Sequence, residues 1–258
     1  MDTEEEIMEK LTAIIPTKNE EHNIEAVLQS VAFADEIMVV DSFSTDKTVE
    51  LAGKYTDFIL QREYQYSASQ KNWAIPQASN PWILLVDADE RITPELALEI
   101  RRVLESGTDK SAFWIYRRNY FMGKPVKFSG WQNDCVIRLF KRDACRYEDK
   151  HVHAEIKTQG KIGKLKNRME HHTYKDLKTY LAKIDQYTTW SAYDRIHKIK
   201  KVTLFHLAVK PLYRFFNHYI LRMGVLDGKT GFVISVFSGY SVFLRFLKLM
   251  QLKNNEKV

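Results

Sequence analysis

Three short apolar runs, each ending in polar residues ahead of a helix-like stretch, constrain the first hundred residues more than any other feature. Leu11-Thr12-Ala13-Ile14-Ile15 ends at Pro16, Glu36-Ile37-Met38-Val39-Val40 closes on Asp41-Ser42, and Trp82-Ile83-Leu84-Leu85-Val86 runs into Asp87-Ala88-Asp89-Glu90. Runs of that length bounded by turn residues read as buried strands. Asp57-Phe58-Ile59-Leu60 reads as a weaker one. Ile24, Val27, Leu28 and Val31 fall at the i, i+3, i+4, i+7 spacing of an amphipathic helix. Asn19 is its expected cap, with Glu20 and Glu21 in the favourable first turn. Thr45 or Asp46 caps a second helix, and a third contains Gln70, Lys71 and Asn72. Thr93-Pro94 starts a fourth, whose stripe is Leu96, Ile100, Val103 and Leu104.

Strands alternating with helices predict an α/β fold with a parallel sheet wound by right-handed crossovers. Such sheets bind ligands at the carboxyl ends of their strands. Here those ends carry Pro16-Thr17-Lys18-Asn19-Glu20, Asp41-Ser42 and Asp87-Ala88-Asp89, three polar clusters able to converge on one crevice.

The pattern changes after Gly107. Phe113-Trp114-Ile115-Tyr116 and Cys135 to Phe140 read as strands around an aromatic, glycine-punctuated loop from Tyr120 to Trp131. From Tyr174 the chain reads as mostly helical, rich in aromatic and basic residues. The expected organisation is therefore a catalytic domain over 1–170 and a helical region over 171–258. The chain has 258 residues and a net charge of +6. That modest basic excess suits an anionic partner without choosing one. Cys135 and Cys145 form no CxxC pair or disulfide framework, which suits a reducing cytoplasm. The first residues lack the basic start and apolar stretch of a secretory signal. No uninterrupted apolar run reaches about 18 residues, so no clear spanning helix is expected. Gly231 to Leu244 comes closest.

Asp87 and Asp89 stand at i and i+2, which in an extended segment places both carboxylates on one face. Two hard oxygen ligands suit Mg²⁺ or Mn²⁺, which neutralises charge on a departing diphosphate. An acidic turn after a strand is the plainer alternative. Asp41 can accept hydrogen bonds from a base or ribose, or serve as a turn residue. Thr17 and Asn19 carry the same ambiguity. The first strand-to-helix turn contains no glycine, which argues against a dinucleotide fingerprint and a P-loop. His151, His153, His171 and His172 lack the usual zinc spacing. Glu148, Asp149 and Glu155 lie among them, and any of the three can act as a general base.

Leu11 to Glu21, Val39-Val40-Asp41-Ser42 and Leu85 to Glu90 together resemble the three nucleotide-site motifs of glycosyltransferase family 2. The resemblance continues through Trp131, Asp134, Arg138-Leu139-Phe140 and Val152-His153 to Leu226-Asp227-Gly228. It is strongest to the branch that includes lipopolysaccharide-core β-1,4-glucosyltransferases. It implies a GT-A fold, a UDP-sugar donor and inversion at the anomeric carbon. It places Pro16, Thr17, Asn19, Glu20 and Asp41 around the nucleoside, Lys71 near the nucleotide, and makes Asp87-Ala88-Asp89 the metal motif. Relatives often read Val-His-Glu where this chain reads Val152-His153-Ala154, so Glu155 is the first choice of base, with Glu148 and Asp149 in reserve.

The expected activity is metal-dependent transfer of a sugar, a hexose, to a saccharide or lipid-linked acceptor in cell-envelope assembly, with no nucleic-acid partner. A sugar-phosphate nucleotidyltransferase would need a glycine-rich basic loop after the first strand, and Pro16 to Glu21 lacks one. A peripheral membrane protein with a vestigial site is the non-enzymatic alternative. Cations bracket the apolar C-terminal run, so those helices are expected to contact an anionic membrane surface on the cytoplasmic side or to form a homodimer.

Overall fold

The computed structural model describes residues 9–150 and 154–255. His151 and His153, weighed above for their spacing, lie outside the described residues. The chain divides into two compact units. One is Met1–Arg117 with Asp134–His171, the other Arg118–Asn133 with His172–Val258.

The first unit is built on a mixed sheet. Strands β1 (Leu11–Thr17), β2 (Glu36–Asp41), β3 (Ile59–Gln61) and β4 (Trp82–Leu85) alternate with helices α1 (Ile24–Ser30), α2 (Thr48–Ala52) and α3 (Ser67–Ala74). There follow β5 (Glu90–Arg91), α4 (Pro94–Glu105), β6 (Lys110–Phe121), β7 (Lys124–Val126, a strand of the second unit), β8 (Cys135–Lys141), β9 (Cys145–Tyr147), β10 (Ile156–Thr158) and β11 (Lys161–Tyr174). The strand order is β3-β2-β1-β4-β8-β6-β11-β5, with β9 and β10 forming a separate hairpin. Pairings among β1 to β4 are parallel, whereas β8 joins β4 and β6 antiparallel. This is the expected α/β architecture of the GT-A kind.

The central strand β1 is buried on both faces, as a parallel strand covered by helices should be. Leu11, Ala13 and Ile15 pack with Ile24, Val27 and Leu28 of α1 and Leu96 and Ile100 of α4. Ile14 faces the other core, with Met38, Val40, Ala74 and Ile83. Thr93 caps α4 as its sequence predicts, its hydroxyl accepting from Leu96 N at 3.3 Å.

The helix after β1 begins at Ile24 rather than at Asn19. Asn19 instead adopts a positive φ of 53° and accepts from Thr45 N at 2.8 Å. It ties the loop after β1 to the loop after β2. Asparagine suits both tasks, because it tolerates the left-handed region and its amide can replace a backbone partner. Strand β11 was not expected. Lysines interrupt its apolar positions, so no clean alternation shows, although Leu165 and Met169 reach the core.

The second unit contains α5 (Leu177–Tyr193), α6 (Lys210–Phe216) and α7 (Gly228–Asn255). Wider helical turns extend α6 over Phe205–Val209 and Asn217–Leu221. Its core centres on Phe121, Tyr180 and Phe237, with ring centroids 4.9 and 5.2 Å apart along that chain. Asp227, in the stretch that carried the family resemblance, accepts from Lys127 N, Phe128 N and Ser129 Oγ at 2.8–3.0 Å. Gly231 is required by close approach: a Cβ there would sit 1.8 Å from the Gly224 carbonyl oxygen. By length and composition the helix over Gly224–Asn255 could cross a membrane. Glycines, serines and Arg245 interrupt the apolar run within that helix.

Candidate active site

The strongest predicted strand delivers Asp87 to the end of β4. The backbone pairing continues through Val86, whose N–H donates to Ile14 O at 3.0 Å. The chain then turns, with Glu90 N donating to Asp87 O at 2.8 Å. Asp87 and Asp89 therefore lie in a tight turn, not in the extended geometry from which their spacing was argued. The turn gives the two carboxylates different surroundings.

Asp87 is held by two cations. Lys71 Nζ of α3 lies 2.9 Å from Asp87 Oδ1, and Arg138 Nη2 of β8 donates to Asp87 Oδ2. Arg138 also donates to Glu90 Oε1 at 2.8 Å, and Glu90 is fully buried. Glu90 Oε2 accepts from Asp87 N at 3.0 Å, which closes the turn on itself. Arg117 approaches Glu90 at 3.4 Å and grips Asp134 through two bonds of 2.9 and 2.6 Å. Three acids and three cations thus form one neutralised network. Burial opposes ionisation of Asp87, but Arg138 and Lys71 outweigh it and hold the carboxyl well below the usual carboxylate range.

Asp89 lies on the other side of the turn. Its Oδ2 is 3.7 Å from His171 Nε2 of β11. A carboxylate oxygen and an imidazole nitrogen at that separation suit two ligands of one divalent ion. Arg91 fixes the turn from behind, donating to Ala88 O at 2.7 Å and to Asn23 Oδ1 at 3.0 Å.

The first two strand ends are also adjacent, since Thr17 pairs with Asp41 across β1 and β2. Pro16 precedes Thr17 in β1. Thr17 Oγ1 is buried without a hydrogen-bond partner among the described residues. Asp41 is fully buried and shaped into its loop, accepting from Ser44 Oγ at 2.5 Å, Ser44 N at 3.0 Å and Gln61 Nε2 at 3.2 Å. Glu20 accepts from Asn23 Nδ2 at 2.7 Å, and its N–H donates to Thr48 Oγ1 at 2.8 Å.

The candidate bases sit on the β9–β10 hairpin and its loop. Asn72, next to Lys71 on α3, anchors that hairpin through both its amide atoms, at 2.8 and 2.9 Å from Tyr147 N and O. Glu148 is engaged by Lys150 at 2.8 Å and Lys157 at 3.3 Å. The Lys150 contact is the main cause holding its carboxyl below the ordinary glutamate value. Asp149 accepts from the Tyr66 hydroxyl. Glu155 is exposed, and its backbone oxygen accepts from Glu148 N at 2.9 Å.

Sequence reasoning gave no role to Glu90, Arg117 or Arg138, and weighed His171 only as one of four histidines that lack zinc spacing. Arg138 carried a readable signal. A single cation inside Val136-Ile137-Arg138-Leu139-Phe140 must find a buried acid or leave the strand. His171 carried none, because its partner is 82 positions away in the chain.

A mixed α/β sheet whose first four strands run parallel, with an acidic turn fixed at the end of β4, is the framework of a glycosyltransferase. The chain belongs to that class: the sequence profile of glycosyl transferase family 2 matches residues 12–158, and the protein is a member of this family. It is 29% identical to an uncharacterized glycosyltransferase of Rickettsia felis, over 95% of this chain and 90% of that one. It is 28% identical to the lipopolysaccharide core biosynthesis glycosyltransferase LpsC of Rhizobium meliloti, over 93% and 92% of the two chains. The crystal structure of residues 1–349 of TarS from S. aureus is similar over 96% of this chain and 91% of that one, at 15% identity and a TM-score of 0.47.

Proposed function

We propose that this glycosyltransferase moves a hexose from a UDP-sugar to a saccharide or lipid-linked acceptor, with inversion, during assembly of lipopolysaccharide or a related envelope polysaccharide. It works on the cytoplasmic side of the inner membrane. The observation that carries the reading is the Asp87-Ala88-Asp89 turn at the end of β4, with Asp87 clamped by Lys71 and Arg138 and Asp89 facing His171.

Two protein donors for a divalent cation lie together; among the described residues no cluster of three or more His, Cys, Asp or Glu forms, so diphosphate oxygens and water would complete the shell. Asp89 and His171 would hold Mg²⁺ or Mn²⁺ directly, with Asp87 completing the acidic motif. When bound, the ion supplies charge neutralisation to the departing diphosphate. Thr17, Asn19, Glu20 and Asp41 line the nucleoside end, where the unpaired Thr17 hydroxyl offers a buried polar contact. Lys71 lies close enough to the acidic turn to contribute positive charge beside the diphosphate. Glu155 takes the proton from the acceptor hydroxyl. That oxygen forms its bond to the anomeric carbon as the bond from this carbon to the phosphate oxygen breaks, and UDP leaves.

The test is a screen of nucleotide-sugar hydrolysis with purified protein, with and without Mn²⁺. UDP-hexoses should be cleaved in a metal-dependent way, and GDP- and CMP-sugars should not. Equal turnover of all donors in the presence of a chelator would overturn the reading.

A further inference from the structure

The second unit exposes an apolar stripe where a soluble helix would place polar residues. Phe205, Val209, Leu212, Phe216 and Ile220 recur at spacings of four, three, four and four. That is one face of a helix. All five are exposed, Leu212 at 59% and Phe216 at 55%. The opposite face of the same helix is the one that packs. A Cβ on Gly239 of α7 would sit 2.9 Å from the Pro211 carbonyl oxygen, and Phe215 packs edge-on against Phe232 at 5.9 Å. Phe232, Val236 and Tyr240 of α7 are exposed as well, at four-residue spacing. An exposed apolar helix face of this kind marks an interaction site.

The charge around it selects the partner. Between Arg195 and Lys253 the chain carries eleven Lys and Arg residues against one acid, Asp227. That acid is turned inward onto Lys127, Phe128 and Ser129. Lys198, Lys200, Lys201, Arg222 and Lys229 are exposed. A second copy docking through this face would bring two like-charged surfaces together, which disfavours a symmetric dimer. An anionic bilayer satisfies both features: acyl chains take the apolar stripe and acidic headgroups take the cations.

We propose that the α6 face, Phe205 to Ile220, seats the second unit in the interface of a membrane rich in acidic phospholipid, lying in the headgroup region without crossing it. The inference rests on the second unit alone and stands whichever sugar the first unit transfers.

Flotation of the full-length protein with vesicles tests it. With equal parts phosphatidylglycerol and phosphatidylcholine at low salt the protein should float, and with phosphatidylcholine alone its partition should fall at least about tenfold. Molar salt should release it, since screening shortens the reach of the cations. The double variant Leu212→Glu/Phe216→Glu should lose membrane partition by about tenfold or more while keeping its circular dichroism spectrum and its hydrolysis of the donor. Hydrogen exchange of the unaltered protein needs no variant: amides from 204 to 222 should gain protection on anionic vesicles. The proposal is overturned if anionic vesicles fail to recruit the protein, or if the double variant binds them equally. Resistance of the bound protein to alkaline carbonate would mean a spanning helix. Light scattering that shows a dimer, dispersed by the double variant, would assign the face to a second copy.

Discussion

Arg138 Nη2 donates to Glu90 Oε1 at 2.8 Å, and neither side chain reaches solvent appreciably. Glu90 is the buried acid that lets an arginine occupy the middle of β8. The same arginine then holds Asp87, so the pair sets both the shape of the acidic turn and its charge. Removing one partner leaves the other charged in the core. Arg138→Met should therefore cost on the order of 3–5 kcal/mol of stability in urea melts. The low carboxyl value of Asp87 adds a pH dependence. Its folded form binds a proton less readily than the unfolded chain, so its contribution is present above the ordinary aspartate value and is lost as pH falls below it. Arg138→Met should flatten that acid limb. A variant with unaltered stability and an unaltered acid limb would remove the pair from this role.

The metal proposal separates the two aspartates. Asp89→Asn and His171→Ala should each weaken Mn²⁺-dependent binding of UDP by at least about tenfold, because each removes one proposed ligand. Chelation should abolish transfer, and added Mn²⁺ should restore it. Calorimetry of UDP with and without Mn²⁺ reads the effect without requiring the acceptor. If the His171→Ala protein keeps its metal-linked affinity, the imidazole is not a ligand.

How much of this was legible in the sequence follows from the range of the interactions. The strands β1, β2 and β4 are local runs, and the polar residues ending them were readable because a buried parallel strand must stop where the chain meets the site. Asn19 misled as a helix cap because its partner Thr45 lies on another loop. Strand β11 was hidden by its lysines, and with it went His171, whose relation to Asp89 exists only once β11 reaches β5. The exposed α6 stripe has the periodicity of a buried one. Sequence alone cannot distinguish an apolar face turned inward from one turned outward.

Thr17 and Asp41, paired across β1 and β2, should behave differently. Thr17 Oγ1 makes no hydrogen bond among the described residues, so Thr17→Val should leave the melting temperature close to that of the parent. Its UDP affinity should fall by about tenfold if the hydroxyl meets the nucleotide. Asp41 organises Ser44 and Gln61, so Asp41→Asn should lower stability as well as UDP affinity. Equal UDP binding by the Thr17→Val protein would take this hydroxyl out of the nucleoside site.

The base is the third role to separate. Glu155→Gln should reduce kcat by about a hundredfold or more with little change in donor binding, since a base acts in the chemical step. Glu148 and Asp149 are already engaged by Lys150 and Tyr66. Their amide variants should have smaller effects on kcat. Near-parental turnover in the Glu155→Gln protein would pass the role to one of these two.

His218 gives the second unit a pH response of its own. It is 5% exposed, and a Cβ on Gly130 would meet both its ring and Arg222 within 3.2 Å. Burial first, then the nearby Arg214 and Arg222, push the imidazole down to about 4 from 6.5. The folded protein therefore keeps this ring neutral where the unfolded chain protonates it. Between about pH 6.5 and pH 4 the unfolded state binds more protons, so stability should rise with pH through that window and level off above it. The slope from this group is at most about 1.4 kcal/mol per pH unit. Urea melts at pH 5 and pH 7 should show the parent losing up to about 2 kcal/mol more than His218→Gln, whose side chain does not titrate. Parallel curves for the two proteins would mean that the ring can charge in the folded state despite its burial and the two nearby arginines.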